Sequence, residues 1–147
     1  MIGSDVEARL ASINLIKDIQ GAAGFADLRK GNKLKVPNTT PTVFVVPLRE
    51  VPKEDLRAIG TPVLQEVVYH IAIITVVRVA NDLSRERTNV LMDNVRQKIK
   101  DKLFGWIPPG FEMPFTRGPS ALFDFVDGAH FHQDEYIVER YEEPRNG

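Results

Sequence analysis

The stretch that decides the fold is Val63-Leu64-Gln65-Glu66-Val67-Val68-Tyr69-His70-Ile71-Ala72-Ile73-Ile74-Thr75-Val76-Val77-Arg78-Val79. Its odd positions Val67, Tyr69, Ile71, Ile73, Val77 and Val79 are apolar, and so are the even positions Val68, Ala72, Ile74 and Val76. β-branched residues dominate, so the stretch reads as a strand, and a strand apolar on both faces is covered on both faces. Seventeen residues at ~3.3 Å each reach about 55 Å, longer than the ~40 Å diameter of a domain this size. The strand therefore bends, or its Leu64–Val68 end projects as an arm, and a projecting apolar arm needs a partner.

Downstream, Asn81-Asp82-Leu83-Ser84 offers helix caps, and Leu91, Val95, Ile99 and Leu103 repeat every four residues. Lys98, Lys100 and Lys102 suit the negative end of a helix dipole, while Gly105 and Pro108-Pro109 stop it, so a helix is expected over 84–104. Upstream, Pro41 opens Thr42-Val43-Phe44-Val45-Val46, a strand that Pro47 is expected to close. Three prolines, and five charged residues before Leu56 and Arg57, then make 47–62 an exposed connection with room for one helical turn.

Near the start, Ser4-Asp5-Val6-Glu7 has the form of a capping box. Val6, Leu10, Ile13, Ile16 and Ile19 follow at helical spacing, which predicts a helix over 5–19. Phe25 and Leu28 anchor a short turn in the otherwise loop-like 20–40. Beyond the second helix, Ala121 to Val126 forms a strand, Asp127-Gly128 a hairpin turn, and Phe131 through Tyr136-Ile137-Val138 a closing strand ending near Tyr141. Residues 142–147 are expected to fray. The order predicts one α+β domain, a mainly antiparallel sheet with two helices packed on one face. Its second face then lacks cover within the chain, which leaves it for another subunit.

Composition narrows the function. Of 147 residues 43% are hydrophobic and 27% charged, and 19 Lys and Arg nearly balance 20 Asp and Glu for a formal charge of −1. That balance disfavours specific nucleic-acid binding. The short basic runs Arg29, Lys30, Lys33, Lys35 and Arg96, Lys98, Lys100, Lys102 read as solvated surface. Cysteine is absent, which excludes disulfides, thiolate metal sites and cysteine nucleophiles. The N-terminus lacks the pattern of a signal peptide, and the apolar run Val67–Val77 is about half the ~20 residues of a membrane-spanning helix. The expectation is a soluble protein with no membrane association, made in the cytoplasm.

Chemistry is hard to find. His130, His132 and Asp134 alternate on one strand face and form a legitimate zinc or iron ligand set. No further His-rich or Cys-rich segment completes a site, so histidines on the surface beside a hairpin are the plainer reading. His70, inside the apolar strand, fits a core or interface histidine kept neutral by burial. No G-x-S-x-G elbow occurs, and Gly21-Ala22-Ala23-Gly24 lacks the Lys-Ser/Thr ending of a phosphate loop. The carboxylates between Asp134 and Glu143 read as a solvated strand edge. Trp106, the only tryptophan, either closes one end of the core or anchors an interface. No catalytic constellation or cofactor site emerges, so a non-enzymatic protein is expected.

Taken in order, these landmarks resemble the tail terminator proteins of long-tailed phages. The resemblance spans nearly the whole chain: the capped first helix, Thr40-Pro41-Thr42-Val43, the apolar strand and the amphipathic helix. Closest of all is the exit Leu103-Phe104-Gly105-Trp106-Ile107-Pro108, followed by Ala121-Leu122-Phe123-Asp124-Phe125-Val126-Asp127-Gly128. Where relatives carry tryptophan in the last stretch, this chain has His130, His132 and Tyr136. The resemblance implies a homohexameric ring on the last tail-tube ring, ending tube growth and offering the head or neck a docking surface. It implies no catalytic residues and no cofactor. The implied partners are the chain itself, the tail tube protein and the head–tail connector or neck proteins, with DNA passing through the ring. The implied location is the virion, after assembly in the host cytoplasm. A ring subunit uses two different patches, and Leu64, Val67, Val68, His70 and Trp106, on the arm 47–66 and the strand 67–77 or beside them, are the expected contacts. Three readings stay open beside this one: another neck or head–tail joining ring protein, a small metal-dependent enzyme using His130, His132 and Asp134, and a ligand-binding α+β domain.

Overall fold

The computed structural model of the chain describes residues 1–30, 33–54 and 62–144. Its elements run α1 (Ile2–Leu10), β1 (Asp18–Gln20), α2 (Ala22–Leu28), β2 (Arg29–Lys30), β3 (Lys33–Leu34) and β4 (Thr42–Pro52). They continue with β5 (Gln65–Arg78), α3 (Glu86–Leu103), β6 (Thr116–Val126) and β7 (Ala129–Glu142). Five strands form one sheet in the order β1-β4-β5-β7-β6, antiparallel except for the β1–β4 pair, while β2 and β3 make a separate hairpin. This is the α+β architecture expected from the sequence.

The apolar strand β5 is the middle of the sheet. It pairs with β4 from Val67 to Val76 and with β7 along its full length, Gln65 opposite Glu142 and Arg78 opposite Ala129. Its odd positions Val67, Tyr69, Ile71 and Ile73 enter the core beneath α1 and α3, with Val6, Leu10, Val95, Ile99 and Leu103. Its even positions Ala72, Ile74 and Val76 join Phe44, Ala129 and Phe131 on the opposite face. Burial on both faces is what the sequence demanded. The Leu64–Val68 end is no two-stranded arm, because β7 continues beside it to Glu142.

The first helix is shorter than its periodicity suggested, ending at Leu10. Successive turns follow, with Ile13 N–H bonded to the Leu10 carbonyl and Ile16 N–H to that of Ile13. Ile13, Ile16 and Ile19 keep their apolar side toward the core from turns and from β1, because a spacing of three serves turns as well as helices. The capping box does not form either: Met1 occupies the cap position, and the Ser4 hydroxyl donates back to the Met1 carbonyl at 2.9 Å. α3 matches its expected range, with Arg85 at the cap position and Asp82, from the expected capping stretch, reaching its first turn. Asp82 accepts from both the backbone N–H (2.7 Å) and the hydroxyl (2.8 Å) of Thr88.

Pro47 does not close β4. The strand continues to Pro52 with one surplus residue, Leu48, as the register steps from Pro47 opposite Ile71 to Arg49 opposite His70. A proline fits here because β1 covers only Thr42–Phe44, leaving the outer edge of β4 without a ladder to break among the described residues. Of the expected connection 47–62, residues 47–52 are thus strand, and the helical turn falls partly outside the described residues.

The second sheet face is half covered, where none was expected. The residues after β1 form α2, which crosses that face and sets Phe25 edge-on against Phe44 (5.5 Å) and 6.0 Å from Phe123. Leu28, Leu34 and Val36 extend the lid. It ends there, so among the described residues the half of the face carrying Val51, Val68, His70, Ile137 and Tyr141 has no helix over it.

Candidate assembly surface

Alternation places Val51, Val68 and His70, and Arg49 past the surplus Leu48, on the uncovered half-face, joined from β7 by Glu135, Ile137, Glu139 and Tyr141. Several apolar side chains stand in solvent: Val51 is 41% exposed and Tyr141 58%, with Leu48, Val63 and Leu64 beside them at the same end of the sheet. Scattered exposed apolar residues need no explanation, but Val51 on β4, Leu64 beside β5 and Tyr141 on β7 gather at one end of three adjacent strands.

Within that rim lie two charged clusters. Glu135 is buried, and its Oε1 accepts from the Arg49 guanidinium (3.1 Å) and lies 2.9 Å from His70 Nδ1. A carboxylate taken from water is tolerable because the Arg49 guanidinium meets it, and His70 adds a second donor in the tautomer that carries its proton on Nδ1. Nearer the end, Lys53 Nζ donates to Glu66 (3.1 Å), with Glu139 3.9 Å away. Hydrogen bonding between the two carboxyls, aided by Lys53, lowers the pKa of Glu66; the same bond raises that of Glu139. The Glu66 hydrogen bond in turn raises Lys53. On the helix side of the same end, Tyr69 donates to Glu142, and burial with that bond pushes its hydroxyl up to about 12.

The sequence-predicted contacts divide between the two faces. Leu64 is exposed at the start of β5, and Val68 and His70 lie half-buried on the uncovered half-face. Val67 points the other way, into the core beneath the helices, 4% exposed. Trp106 is half-buried and stacks on Phe115 (6.0 Å, 21°), with the Arg9 guanidinium over its ring at 5.2 Å.

His130, His132 and Asp134 share a face of β7, as alternation required, but not the surface. β7 is an interior strand lying under α3, so His130 and Asp134 are buried and His132 is half-buried. The Nε2 atoms of both histidines and the Thr75 hydroxyl are buried with no hydrogen-bond partner. Burial lowers both imidazole pKa values, helped by Arg85 near His130 and Arg96 near His132. Asp134 is committed elsewhere, to Arg96 and Arg117. Among the described residues no three His, Asp or Glu side chains gather to hold a metal ion.

What sequence reasoning missed are the pairs Arg49–Glu135 and Arg96–Asp134, 86 and 38 residues apart. The available signal was a charged residue at an inward position of an otherwise apolar strand. A further apolar patch, Phe104, Ile107 and Met113, stands exposed in the loop leaving α3. No helix among the described residues is long and apolar enough to cross a membrane.

Comparison with known proteins gives one family. The model described as "Phage tail terminator protein" matches residues 3–144. No curated protein matches the chain.

Proposed function

The chain belongs to the phage tail terminator family, a family of structural proteins of the virion tail, and from that premise we propose that it works as a ring. Copies of the chain, six in our reading, assemble on the last ring of the tail tube and end its growth. The opposite side of the ring then offers the docking surface for the head–tail connector or neck, and the genome passes through the opening without specific contacts. Assembly takes place in the host cytoplasm. No step of this role requires catalysis or a cofactor.

The observation that carries the reading is the uncovered half-face of the sheet. Val51, Val68, Ile137 and Tyr141 form an apolar surface around the Arg49–Glu135–His70 cluster, and α2 stops short of it. A closed ring needs two unlike patches on each copy, one per neighbour. In this reading Leu64, Val68 and His70 belong to one of them directly, while Val67 and Trp106 hold it in shape from the core.

Light scattering over a concentration series, alone and with isolated tail tubes, tests the proposal. A ring of six gives about 100 kDa, six times 16.6 kDa. Either that mass in solution, or monomers that form rings only on tube ends and halt their growth, supports the reading. A monomer that ignores tube ends at every concentration overturns it.

A further inference from the structure

The sheet ends in two open edges on opposite sides of the molecule. Among the described residues β6 has no neighbour on its outer side, and β4 is open beyond Phe44, where β1 stops. Neither edge is built for a long run of backbone pairing. Pro47, Pro52 and the surplus Leu48 interrupt β4, and β6 carries Pro119 and two register shifts. Interruptions of this kind blunt an edge against indiscriminate strand addition. Side chains must then decide what meets them.

Their charges are complementary. Between β6 and α3 lies a cavity of about 220 Å³ lined by Arg96, Lys100 and Arg117, with Tyr136 also in its wall. It contains Asp134, whose oxygens are engaged by Arg96 and Arg117, and Asp93, which is 77% exposed and reaches Arg96 only at 4.0 Å. Lys100 has no carboxylate partner among the described residues and lies 5.8 Å above the Phe104 ring. Three cations against two carboxylates leave a place for one more acid. At the other edge Glu50 is exposed, with no cationic partner among the described residues, and lines a cavity with Asp5, which reaches only the N-terminal amine at 4.0 Å. Arg140, in the same cavity, is held by Glu142.

Position agrees with charge. Glu50 lies opposite Tyr69, on the helix side of the sheet, as does the cavity under α3. Across the sheet Arg117 is level with Tyr136, Tyr136 with Ile71, and Ile71 with Pro47. Glu50 is two rungs beyond Pro47, about 7 Å, within the reach of a lysine or arginine side chain. Two copies side by side therefore meet without a large shift along the strands. Rotation without translation closes a ring, where a steady shift builds a filament.

We infer that the β4 edge of one copy docks against the β6 edge of the next, with Glu50 entering the Arg96–Lys100–Arg117 cavity of its neighbour. The occupant is a second copy of this chain. The inference deepens the ring reading and rests on it: the β4 edge, bordered by the half-face of Val51 and Val68, is one of the two patches and the β6 edge is the other.

The test is a charge exchange. Glu50→Lys and Lys100→Glu should each weaken self-association at least about tenfold in sedimentation velocity. The double variant should recover most of the loss, and far-ultraviolet circular dichroism and thermal midpoints should stay near the parent's. Because the chain has no cysteine, Glu50→Cys with Lys100→Cys gives a clean second measurement: oxidation should yield covalent oligomers up to the closed ring. If the parent forms rings while both single variants assemble normally and the cysteine pair fails to cross-link, this contact is wrong and the ring stands. If the parent never assembles, with or without tail tubes, both readings fall.

Discussion

Arg96 on α3 grips Asp134 on β7 with two parallel hydrogen bonds, Nε to Oδ2 at 2.9 Å and Nη2 to Oδ1 at 2.8 Å. Arg117 reaches the same carboxylate from β6 at 3.4 Å. The pair fastens the long helix to the sheet at a point where β7 would otherwise bury an uncompensated acid, and the Asp134 hydrogen bonds raise the Arg96 pKa further.

Arg96→Ala should destabilise the protein by about 2 kcal/mol, because Asp134 keeps only the longer Arg117 contact. The figure lies below that for a fully buried pair since the Arg96 side chain is 23% exposed. Pairing the change with Asp134→Leu should recover part of the loss. Urea midpoints measure both, and an unchanged midpoint in Arg96→Ala would remove the helix fastening from the account.

Acid should weaken the fold through the two histidines under α3. Burial depresses both imidazoles below the roughly 6.5 of an unfolded histidine, so the unfolded chain binds more protons in that range. Their contribution is whole above about pH 6.5 and is lost as pH falls below it. Arg85 and Arg96 strengthen the effect, while Asp82, Asp93 and Asp134 oppose it. The double variant His130→Gln with His132→Gln should show a flatter decline of denaturation midpoint between neutral pH and about 5. Equal slopes would show that the histidines do not titrate as their burial requires.

Neighbouring valines on β5 should separate assembly from stability. Val67→Ala removes buried volume beneath the helices and should cost about 2 kcal/mol by chemical denaturation. Val68→Asp and Leu64→Asp, on or beside the uncovered half-face, should leave the monomer within about 0.5 kcal/mol of the parent yet abolish tube-end capping. Capping by both aspartate variants would exclude this half-face as a contact.

The β6–β7 turn depends on left-handed backbone at Asp127 (φ 49°) and Gly128 (φ 80°). A side chain at the second position is strained, so Gly128→Ala should cost about 1 kcal/mol in thermal or urea unfolding. Gly128→Asn should cost less, since asparagine tolerates this region better. The reverse order would mean that the turn is not held in this form.

The centre of the molecule was legible in its sequence because its signals are local. Two-faced burial identifies β5, four-residue spacing identifies α3, and Asp127-Gly128 identifies the hairpin. The N-terminus misled because Ile13, Ile16 and Ile19 keep a spacing that turns share with helices. α2 went unseen as a lid because a seven-residue Ala- and Gly-containing segment carries little periodicity of its own. The charged pairs were invisible for another reason. Arg49 meets Glu135 only once β4, β5 and β7 are in register, and no stretch of sequence states that register by itself.

Leu48 is the one residue of β4 that occupies no rung between Pro47 and Arg49. Removing it would join two ladders already in phase, leaving Arg49 beside His70 and Glu135 and every later side chain on its present face. Losing or adding a residue elsewhere in 43–52 would instead turn those side chains over. When related chains are aligned, a single-residue gap in this strand has one place it can fall without scrambling the surface downstream.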